Sequence, residues 1–164
     1  MQLSANLSVD KVTTDSTLIS GTALPNAKIT VQIGDQDFSG KADLSGHFKI
    51  ELQSFSYMPG TEVTVTAKSS DGTKTQSVKV NPKKPVIGLA YVGDDDIRGV
   101  VDPGATVTII VRSTKYQTLA DSKGNFNQSV NPNLLVAGTL VSVYSTSGGL
   151  DSETATENVN QNRL

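Results

Sequence analysis

The chain has 164 residues, a formal net charge of −2 and 36% hydrophobic residues, and it contains neither cysteine nor tryptophan. The missing cysteines exclude disulfides, thiolate metal sites and cysteine nucleophiles. Lysine and arginine are scattered along the sequence, so nothing predicts the basic face of a nucleic-acid-binding protein. No apolar run approaches the ~18 residues that span a bilayer, and the first residues lack the pattern of a secretory signal.

An internal repeat divides the sequence in two. The segment Ile19–Ala27 returns as Ile97–Ala105, with Gly21 returning as Gly99, 78 positions later. Two further blocks, at residues 42–48 and 59–65, return at the same offset. A period of this length indicates a whole small domain and not one unit of a solenoid. The sequence therefore predicts a first domain at residues 1–81, a Pro-rich linker at 82–85, a second domain at 86–159 and a frayed tail at 160–164.

Alternation of apolar and polar residues dominates both repeats. Ile29, Val31 and Ile33, for example, alternate with polar residues. Period two with many Thr and Val residues predicts strands with one buried face, and no stretch has sustained helical periodicity. The first repeat is predicted to form seven strands, at residues 8–12, 17–22, 28–34, 37–42, 47–53, 62–69 and 74–80. The second is predicted to follow 78 positions later, with its last strand shifted or frayed.

The inward positions of these strands define a predicted core. In the first repeat it comprises Ile19, Ile29, Val31, Ile33, Phe48, Ile50, Leu52, Val63, Val65, Val78 and Val80. In the second it comprises Ile97, Val107, Ile109, Val111, Phe126, Val130, Val141 and Val143. Gln128 stands where the first repeat has Ile50. Because a buried glutamine without partners costs a few kcal/mol, we expect this strand to be more exposed or locally re-registered, and the second repeat to be less stable.

Turn signals separate the strands. Asp71-Gly72 predicts a hairpin of the primed turn class, although Gly149-Leu150 at the equivalent position suggests that the second repeat differs there. Asp43 and Asp121 recur at one position, where a carboxylate accepting backbone N–H groups two residues on would cap a turn. Two prolines in the segment 81–85 predict a short, stiff linker.

Few residues suggest chemistry. His47 is the only histidine, and no oriented partner for a general base is apparent. Three consecutive acids, Asp94, Asp95 and Asp96, either form a solvated loop or collect a weakly bound Ca²⁺. A Lys–Asn isopeptide bond with an adjacent acid is the remaining covalent option, and its candidates are Lys28, Lys49, Asn131 and Glu51.

The aromatic residues are few, and two apolar stretches lie outside the strands. Phe38 and Tyr116 align between the repeats and are predicted to share one strand position. The stretches at residues 55–58 and 133–136 either cover the open end of a β-sandwich or form a partner-binding patch.

The shared motifs are Ile-x-Gly, Pro-x-Ala, Ala-Asp-x-x-Gly-x-Phe and Gly-Thr-x-Val-x-Val, the third of them at Ala42–Phe48 and Ala120–Phe126. In this order they resemble the bacterial immunoglobulin-like domains that occur as tandem repeats in surface proteins, notably of Gram-positive bacteria. The resemblance implies an all-β chain of two seven-stranded Greek-key β-sandwiches, arranged like beads on a string and lacking the disulfide of antibody domains.

The resemblance also implies a non-catalytic stalk, spacer or adhesion segment of a secreted cell-surface protein anchored to the peptidoglycan cell wall. No Leu-Pro-x-Thr-Gly sorting motif is present, so wall anchoring is inferred for a parent protein. We expect no catalytic residues, no cofactor and no metal site. The expected partners are a host or matrix protein or cell-wall components, with no nucleic acid, no membrane insertion and a monomeric state.

Two other functions stay open at this point. One is a binding module appended to a secreted enzyme, although the absence of tryptophan argues against sugar stacking. The other is an Ig-like decoration domain of a phage virion. An enzyme is the weakest hypothesis, since the sequence shows no activated nucleophile and no metal motif.

Overall fold

A computed structural model describes residues 7–52 and 57–161. Contacts along the chain divide it into two compact units, Met1–Asn81 and Pro82–Leu164. The apolar stretch that begins at Phe55 lies partly outside the described residues, as do the last three residues of the predicted tail.

The described residues of the first unit form seven antiparallel strands in two sheets. They are β1 (Ser8–Val9), β2 (Leu18–Thr22), β3 (Lys28–Ile33), β4 (Gln36–Lys41), β5 (His47–Glu51), β6 (Glu62–Ser69) and β7 (Gly72–Lys79). One sheet has the order β1-β2-β5 and the other the order β4-β3-β6-β7. The seven predicted strands are confirmed. The chain changes sheet after β2, β4 and β5, which gives the Greek-key sandwich.

The second unit repeats this arrangement with a broken last strand. Its strands are β8 (Val86–Ile87), β9 (Asp96–Val100), β10 (Thr106–Val111), β11 (Thr114–Leu119), β12 (Asn125–Ser129), β13 (Leu140–Ser147), β14 (Leu150–Asp151) and β15 (Ala155–Asn158). One sheet is β12-β9-β8; in the other, β11, β10 and β13 are neighbours and both β14 and β15 pair with β13. A single 3₁₀ turn, Pro132–Leu134, is the one helical element among the described residues.

The break comes from one extra residue. In the first unit Val65 lies opposite Gln76, whereas its counterpart Val143 lies opposite Ala155, which is 79 positions after Gln76. Before the break, Ser152 N donates to Ser145 O at 2.8 Å, and Ser145 N donates to Ser152 Oγ at 2.9 Å. The insertion therefore falls at residues 152–154 as a bulge, and the predicted shift of this strand is confirmed.

Both predicted cores are confirmed except at Val78, which is half-buried. Alternation explains this agreement, because every second residue of a central strand faces the opposite sheet. The remaining buried apolar residues were missed, mostly because they are alanines or lie at strand ends. They include Val12, Ala27, Ala42, Ala67, Ala90, Val101, Ala105, Leu135 and Val159.

Gln128 keeps the register of its counterpart. It lies opposite Ile97, as Ile50 lies opposite Ile19. Gln128 is half-buried, whereas Ile50 is buried, so the expected greater exposure is confirmed and the alternative of a changed register is wrong. The amide nitrogen Nε2 of Gln128 donates to Ser129 O at 2.8 Å, which satisfies it at the surface.

The hairpin between β6 and β7 corrects one prediction. Ser69 lies opposite Gly72, so the two loop residues are Ser70 and Asp71 and not Asp71-Gly72. The positive φ, +130°, falls at Gly72, the first residue of β7. Primed turns need positive φ within the loop, so the predicted turn class is wrong. In the second unit the loop is Gly148-Gly149, with φ of +61° and +76°, and the predicted difference between the two hairpins is confirmed.

The ends of the second unit are hydrogen-bonded. Lys83 N donates to the buried carboxylate of Asp102 at 2.9 Å, which fixes the proline-rich segment to its own unit. Asn160, predicted as the start of a frayed tail, donates through its backbone N–H to Ala90 O at 2.8 Å and accepts from Val92 N at 3.0 Å. Asn160 is therefore hydrogen-bonded within the second unit, and fraying of the rest of the tail stays a prediction.

Candidate functional site

The recurring aspartates organise the same turn in both units. Asp43 Oδ1 accepts hydrogen bonds from Ser45 N and His47 N, both at 2.9 Å. Asp121 Oδ1 accepts from Lys123 N and Asn125 N, also at 2.9 Å. Each carboxylate thereby closes the turn that leads into the fifth strand of its unit. The predicted architectural role of these two residues is confirmed.

These bonds favour the charged form of each carboxyl group. The backbone N–H of His47, followed by that of Ser45, lowers the pKa of Asp43 below its ordinary value of 3.8. The backbone N–H of Asn125, followed by that of Lys123, lowers the pKa of Asp121 in the same way. A lowered carboxyl pKa suits a structural anion and opposes a role as a general acid at neutral pH.

A glycine packed against a phenylalanine is the second arrangement that recurs in both units. Gly21 lies directly opposite Phe48, and Gly99 lies opposite Phe126. A Cβ atom on Gly21 would lie 1.9 Å from Ser8 O and 2.8 Å from the Phe48 ring. On Gly99 it would lie 2.2 Å from Val86 O and 2.8 Å from the Phe126 ring. The Ile-x-Gly motif thus lets a neighbouring strand and a core aromatic ring approach the backbone closely.

His47 is exposed at the first residue of β5, and its backbone N–H is bonded to Asp43. Its counterpart Asn125 occupies the same backbone position with the same bond to Asp121. Because the two units need only the backbone N–H at this position, the side chain is free to vary, and the histidine fits the role of an exposed turn residue.

The three consecutive aspartates have different neighbours. Asp94 Oδ2 accepts from Tyr91 N at 3.0 Å. Asp96 Oδ2 pairs with Arg98 Nη2 at 2.9 Å, and the backbone oxygen of Asp95 accepts from Val130 N at 2.9 Å. In the described part of the chain, no group of three or more His, Asp and Glu side chains is placed to hold a metal ion.

The four isopeptide candidates are exposed residues. Lys28 is on β3, Lys49 and Glu51 are on β5, and Asn131 precedes the 3₁₀ turn. Asn131 Oδ1 accepts from Asn133 N at 3.0 Å, and Asn131 N donates to Tyr116 Oη at 3.1 Å. The structure therefore gives Asn131 a capping role.

The apolar stretch 133–136 covers one end of the second core. Leu135 is fully buried, Leu134 packs against the core cluster, and Val136 is 43% exposed. Phe38 and Tyr116 share a half-buried position on the fourth strand of their units and pack against the respective cores, which confirms their predicted common role.

A cavity of about 240 Å³ lies in the first unit. Apolar and polar groups share its lining almost equally; the lining includes Leu7, Ala23, Leu24, Ala67, Asp71 and Lys74. Its polar groups are the Asp71 carboxylate, the Lys74 ammonium group and the hydroxyls of Ser69 and Thr73, and Ser69 Oγ accepts a hydrogen bond from Asp71 N at 3.2 Å.

One group of charged residues was missed in the sequence. Lys28 on β3 lies directly opposite Lys41 on β4 and Lys68 on β6, and all three side chains are exposed. We call Lys41, Lys28 and Lys68 the lysine row. Each lysine occupies an outward position of a predicted strand, but only the pairing register brings the three together. Lysines that are scattered in the sequence are therefore adjacent in the fold.

Comparison with known families and proteins identifies the first unit. The family model described as bacterial Ig domain matches residues 5–84. Nothing among curated proteins matches the chain. In the described part of the chain, no helix is both long enough and apolar enough to cross a membrane.

Several solved structures match this chain over most of its length. A segment of two fibronectin type III domains from chicken tenascin has a TM-score of 0.50 and 16% identity, and the match covers 96% of this chain and 98% of that one. A biofilm-associated protein domain gives a TM-score of 0.45, 17% identity and 96% coverage of this chain. A bacterial ice-binding adhesin of 1.5 MDa gives a TM-score of 0.41 and 17% identity, and the match covers 96% of this chain.

Coverage of those bacterial structures is partial. This chain spans 30% of the biofilm-associated structure and 64% of the adhesin structure. At such identities the likeness to tenascin supports the fold alone, because one sandwich architecture serves many unrelated functions.

Proposed function

Because the first unit belongs to the family of bacterial Ig domains and the second repeats its structure, we propose that this chain is a non-catalytic repeat segment of an extracellular bacterial protein. It acts as a stalk, or as an adhesion module where one of its surfaces binds a partner. The parent protein is held at the cell surface or in the cell wall by parts outside this segment.

One observation carries the proposal: the residues that the two units share are those that build the sandwich. Asp43 and Asp121 close equivalent turns, and Gly21 and Gly99 admit equivalent phenylalanines. Exposed positions diverge, as where Lys28 is replaced by Thr106. The two units thus share the residues that build the fold but not the residues on its surface. This pattern fits a segment that provides length and does not repeat a binding site.

Within residues 7–52 and 57–161, the histidine and the recurring carboxylates do not form a catalytic arrangement, which supports the same view. The one histidine is exposed at the start of β5, and the recurring carboxylates are bonded to backbone N–H groups. A catalytic role needs convergent groups in a pocket, whereas these residues serve the turns in which they lie. The partners proposed for the parent protein are host or matrix proteins or components of the wall, with this segment monomeric.

The location is tested by labelling intact cells of the source bacterium with an antibody raised against the purified chain. Labelling of intact cells at the level seen after permeabilisation supports surface display. Label that appears only after permeabilisation contradicts the proposal. An antibody against a cytoplasmic enzyme serves as the control for cell integrity.

A second experiment separates a stalk from an adhesion module. The purified chain is incubated with bacterial wall material, host cells and extracellular-matrix proteins, and an unrelated pair of Ig-like domains of equal length serves as the control. Retention above that control indicates adhesion through this segment. Equal, low retention indicates that the segment provides reach, with recognition located elsewhere in the parent protein.

A further inference from the structure

We propose that the lysine row is a binding site for a linear anionic polymer whose charges are phosphodiesters. The row crosses the outer face of the four-stranded sheet of the first unit, on the adjacent strands β4, β3 and β6. Neighbouring strands lie about 4.8 Å apart, so the row sets three positive charges over about 10 Å.

The lysine row should lower the stability of the first unit, and no interaction within the described residues compensates for it. Like charges directly opposite each other on antiparallel strands are destabilising. Thr73 continues the row on β7, and the next row on this face consists of hydroxyl residues: Ser39, Thr30, Thr66 and Thr75. Among the described residues, none of the three lysines forms an ion pair with a carboxylate. The row therefore has no internal counter-charge.

The same sandwich forms without these lysines. The second unit has Leu119, Thr106 and Thr146 in the equivalent register. A lysine on an edge strand protects that edge from pairing with other chains, which would account for Lys41. Lys28 and Lys68 lie on central strands that are paired on both sides, so edge protection does not account for them. An external anion does account for all three.

The surroundings favour a phosphodiester chain over a sugar polymer. A lysine ammonium group is a compact point charge suited to phosphate oxygens, and the hydroxyl groups of Thr30, Thr66 and Ser39 beside the row can donate further hydrogen bonds. The outward residues of this sheet face include no aromatic side chain on which a sugar ring could stack. Asp37 and Glu62 lie toward the opposite end of the face, which confines the anion to the lysine end.

This inference rests on the proposed surface location, since an anionic wall polymer is encountered there. The two ideas nevertheless fail separately. Binding is measured with purified components, so it can be absent while intact cells are labelled, and it can be present while they are not.

The test uses the full chain and synthetic poly(glycerol phosphate) in a titration followed by calorimetry or fluorescence. The triple variant K28T/K41Q/K68T should bind at least tenfold more weakly than the unsubstituted chain. The control K49Q/K115Q/K123Q removes the same charge from exposed lysines outside the row and should bind within twofold of it. For three neutralised phosphates, the affinity of the unsubstituted chain should fall on the order of tenfold between about 50 and 200 mM salt.

Thermal melting of the same variants shows whether a loss of binding is caused by unfolding. Removing like charges that lie opposite each other should leave the melting temperature of the first unit unchanged or raised at low salt, with a smaller change at high salt. Loss of poly(glycerol phosphate) binding without loss of stability supports the proposal. No binding by the unsubstituted chain, or equal weakening in both triple variants, overturns it. Binding of heparin in place of poly(glycerol phosphate) also overturns it and assigns the row to sulfated glycans.

Discussion

The two units of this chain keep the same aspartate turn and differ in their hairpins and in the continuity of their last strand. In the first unit the last strand, β7, pairs with β6 in one unbroken register, from Ser69 opposite Gly72 to Glu62 opposite Lys79. In the second unit the equivalent strand is broken by a bulge, and the hydroxyl oxygen of Ser145 is buried with no hydrogen-bond partner among the described residues. Ala67 holds that position in the first unit.

A second difference concerns the contact between the fourth and fifth strands. A Cβ atom on Gly40 would lie 2.3 Å from Ile50 Cδ1, so the glycine makes room for the isoleucine. The second unit has Thr118 and Gln128 at the same two positions. A residue on the neighbouring strand thus explains why position 128 holds a half-buried glutamine, because a threonine leaves less space for a branched apolar side chain.

The repeated motifs therefore preserve the aspartate turn and the close approach of the backbone at Gly21 and Gly99, whereas the side chains packed between them have diverged in pairs. The second unit accumulates features that each cost some stability: the bulge, the buried hydroxyl and the half-buried glutamine. The lysine row is a comparable cost in the first unit, but it lies on the surface and its repulsion is reduced by salt.

The largest expected effect follows from the shared glycine. Gly99→Ala forces a Cβ atom to within 2.2 Å of Val86 O, and overpacking of this kind should lower the free energy of unfolding of the second unit by about 2 to 3 kcal/mol. Urea denaturation measures this loss of unfolding free energy. The matched control is Gly88→Ala, whose Cβ would lie 3.3 Å from Arg98 O and should cost far less. Equal losses in the two variants would show that the close approach is not what Gly99 provides.

Next in size is the coupling between the fourth and fifth strands of the second unit. Gln128→Ile alone should give little or no gain in stability, because Thr118 occupies the space that Gly40 leaves open in the first unit. Combined with Thr118→Gly, it should be favourable, with an interaction energy of about 1 kcal/mol or more in a double-mutant cycle. Additive effects of the two substitutions would contradict this explanation of Gln128.

A smaller gain is expected at the hairpin between β10 and β11. Its loop residues Arg112 and Ser113 have φ of +48° and +77°, a conformation that costs residues other than glycine about 1 kcal/mol or more. The double substitution R112N/S113G supplies the residues that this turn prefers and should raise the unfolding free energy by about 1 kcal/mol. In the first unit Gly34 already has φ of +57° in the equivalent loop, so Gly34→Ala should lower stability there. No change in either variant would exclude turn strain as a difference between the units.

The smallest effect concerns the two aspartate turns, which should respond alike. Since the folded-state pKa of Asp43 and Asp121 is lowered, their stabilisation is present above the ordinary carboxyl pKa and is lost as the pH falls through the lowered folded-state pKa. The variants D43N and D121N should therefore be less stable at neutral pH, with a weaker loss of melting temperature on acidification than the unsubstituted chain. If the melting temperatures of the variants and of the unsubstituted chain fall equally with pH, these carboxylates are not stabilising.

Much of this fold follows from the sequence. Alternation around Ile29 and Val31 identified the central strands, and the recurrence of Asp43 at Asp121 indicated a turn, because both signals are local. The hairpin at Ser70 was misplaced by one residue, since Asp-Gly is a common loop pair and the register that overrides it is set along the whole of β6 and β7. The bulge at residues 152–154 and the Gly40–Ile50 contact depend on neighbours distant in sequence.

The candidate site shows the same limit. Each lysine of the row was visible as an outward strand residue, but their adjacency depends on three strands whose register no single segment encodes. The aspartate triplet was conspicuous in the sequence, yet its members have separate partners because consecutive residues of a strand or loop point in different directions.

Differential scanning calorimetry of the full chain with the variants Gly21→Ala and Gly99→Ala tests most directly whether the two units are copies of one scaffold that unfold separately, the second before the first. We expect two transitions, with Gly99→Ala lowering the melting temperature of the first transition and Gly21→Ala lowering only that of the second. A single transition that both variants lower together, or an early transition that responds to Gly21→Ala, would contradict this expectation.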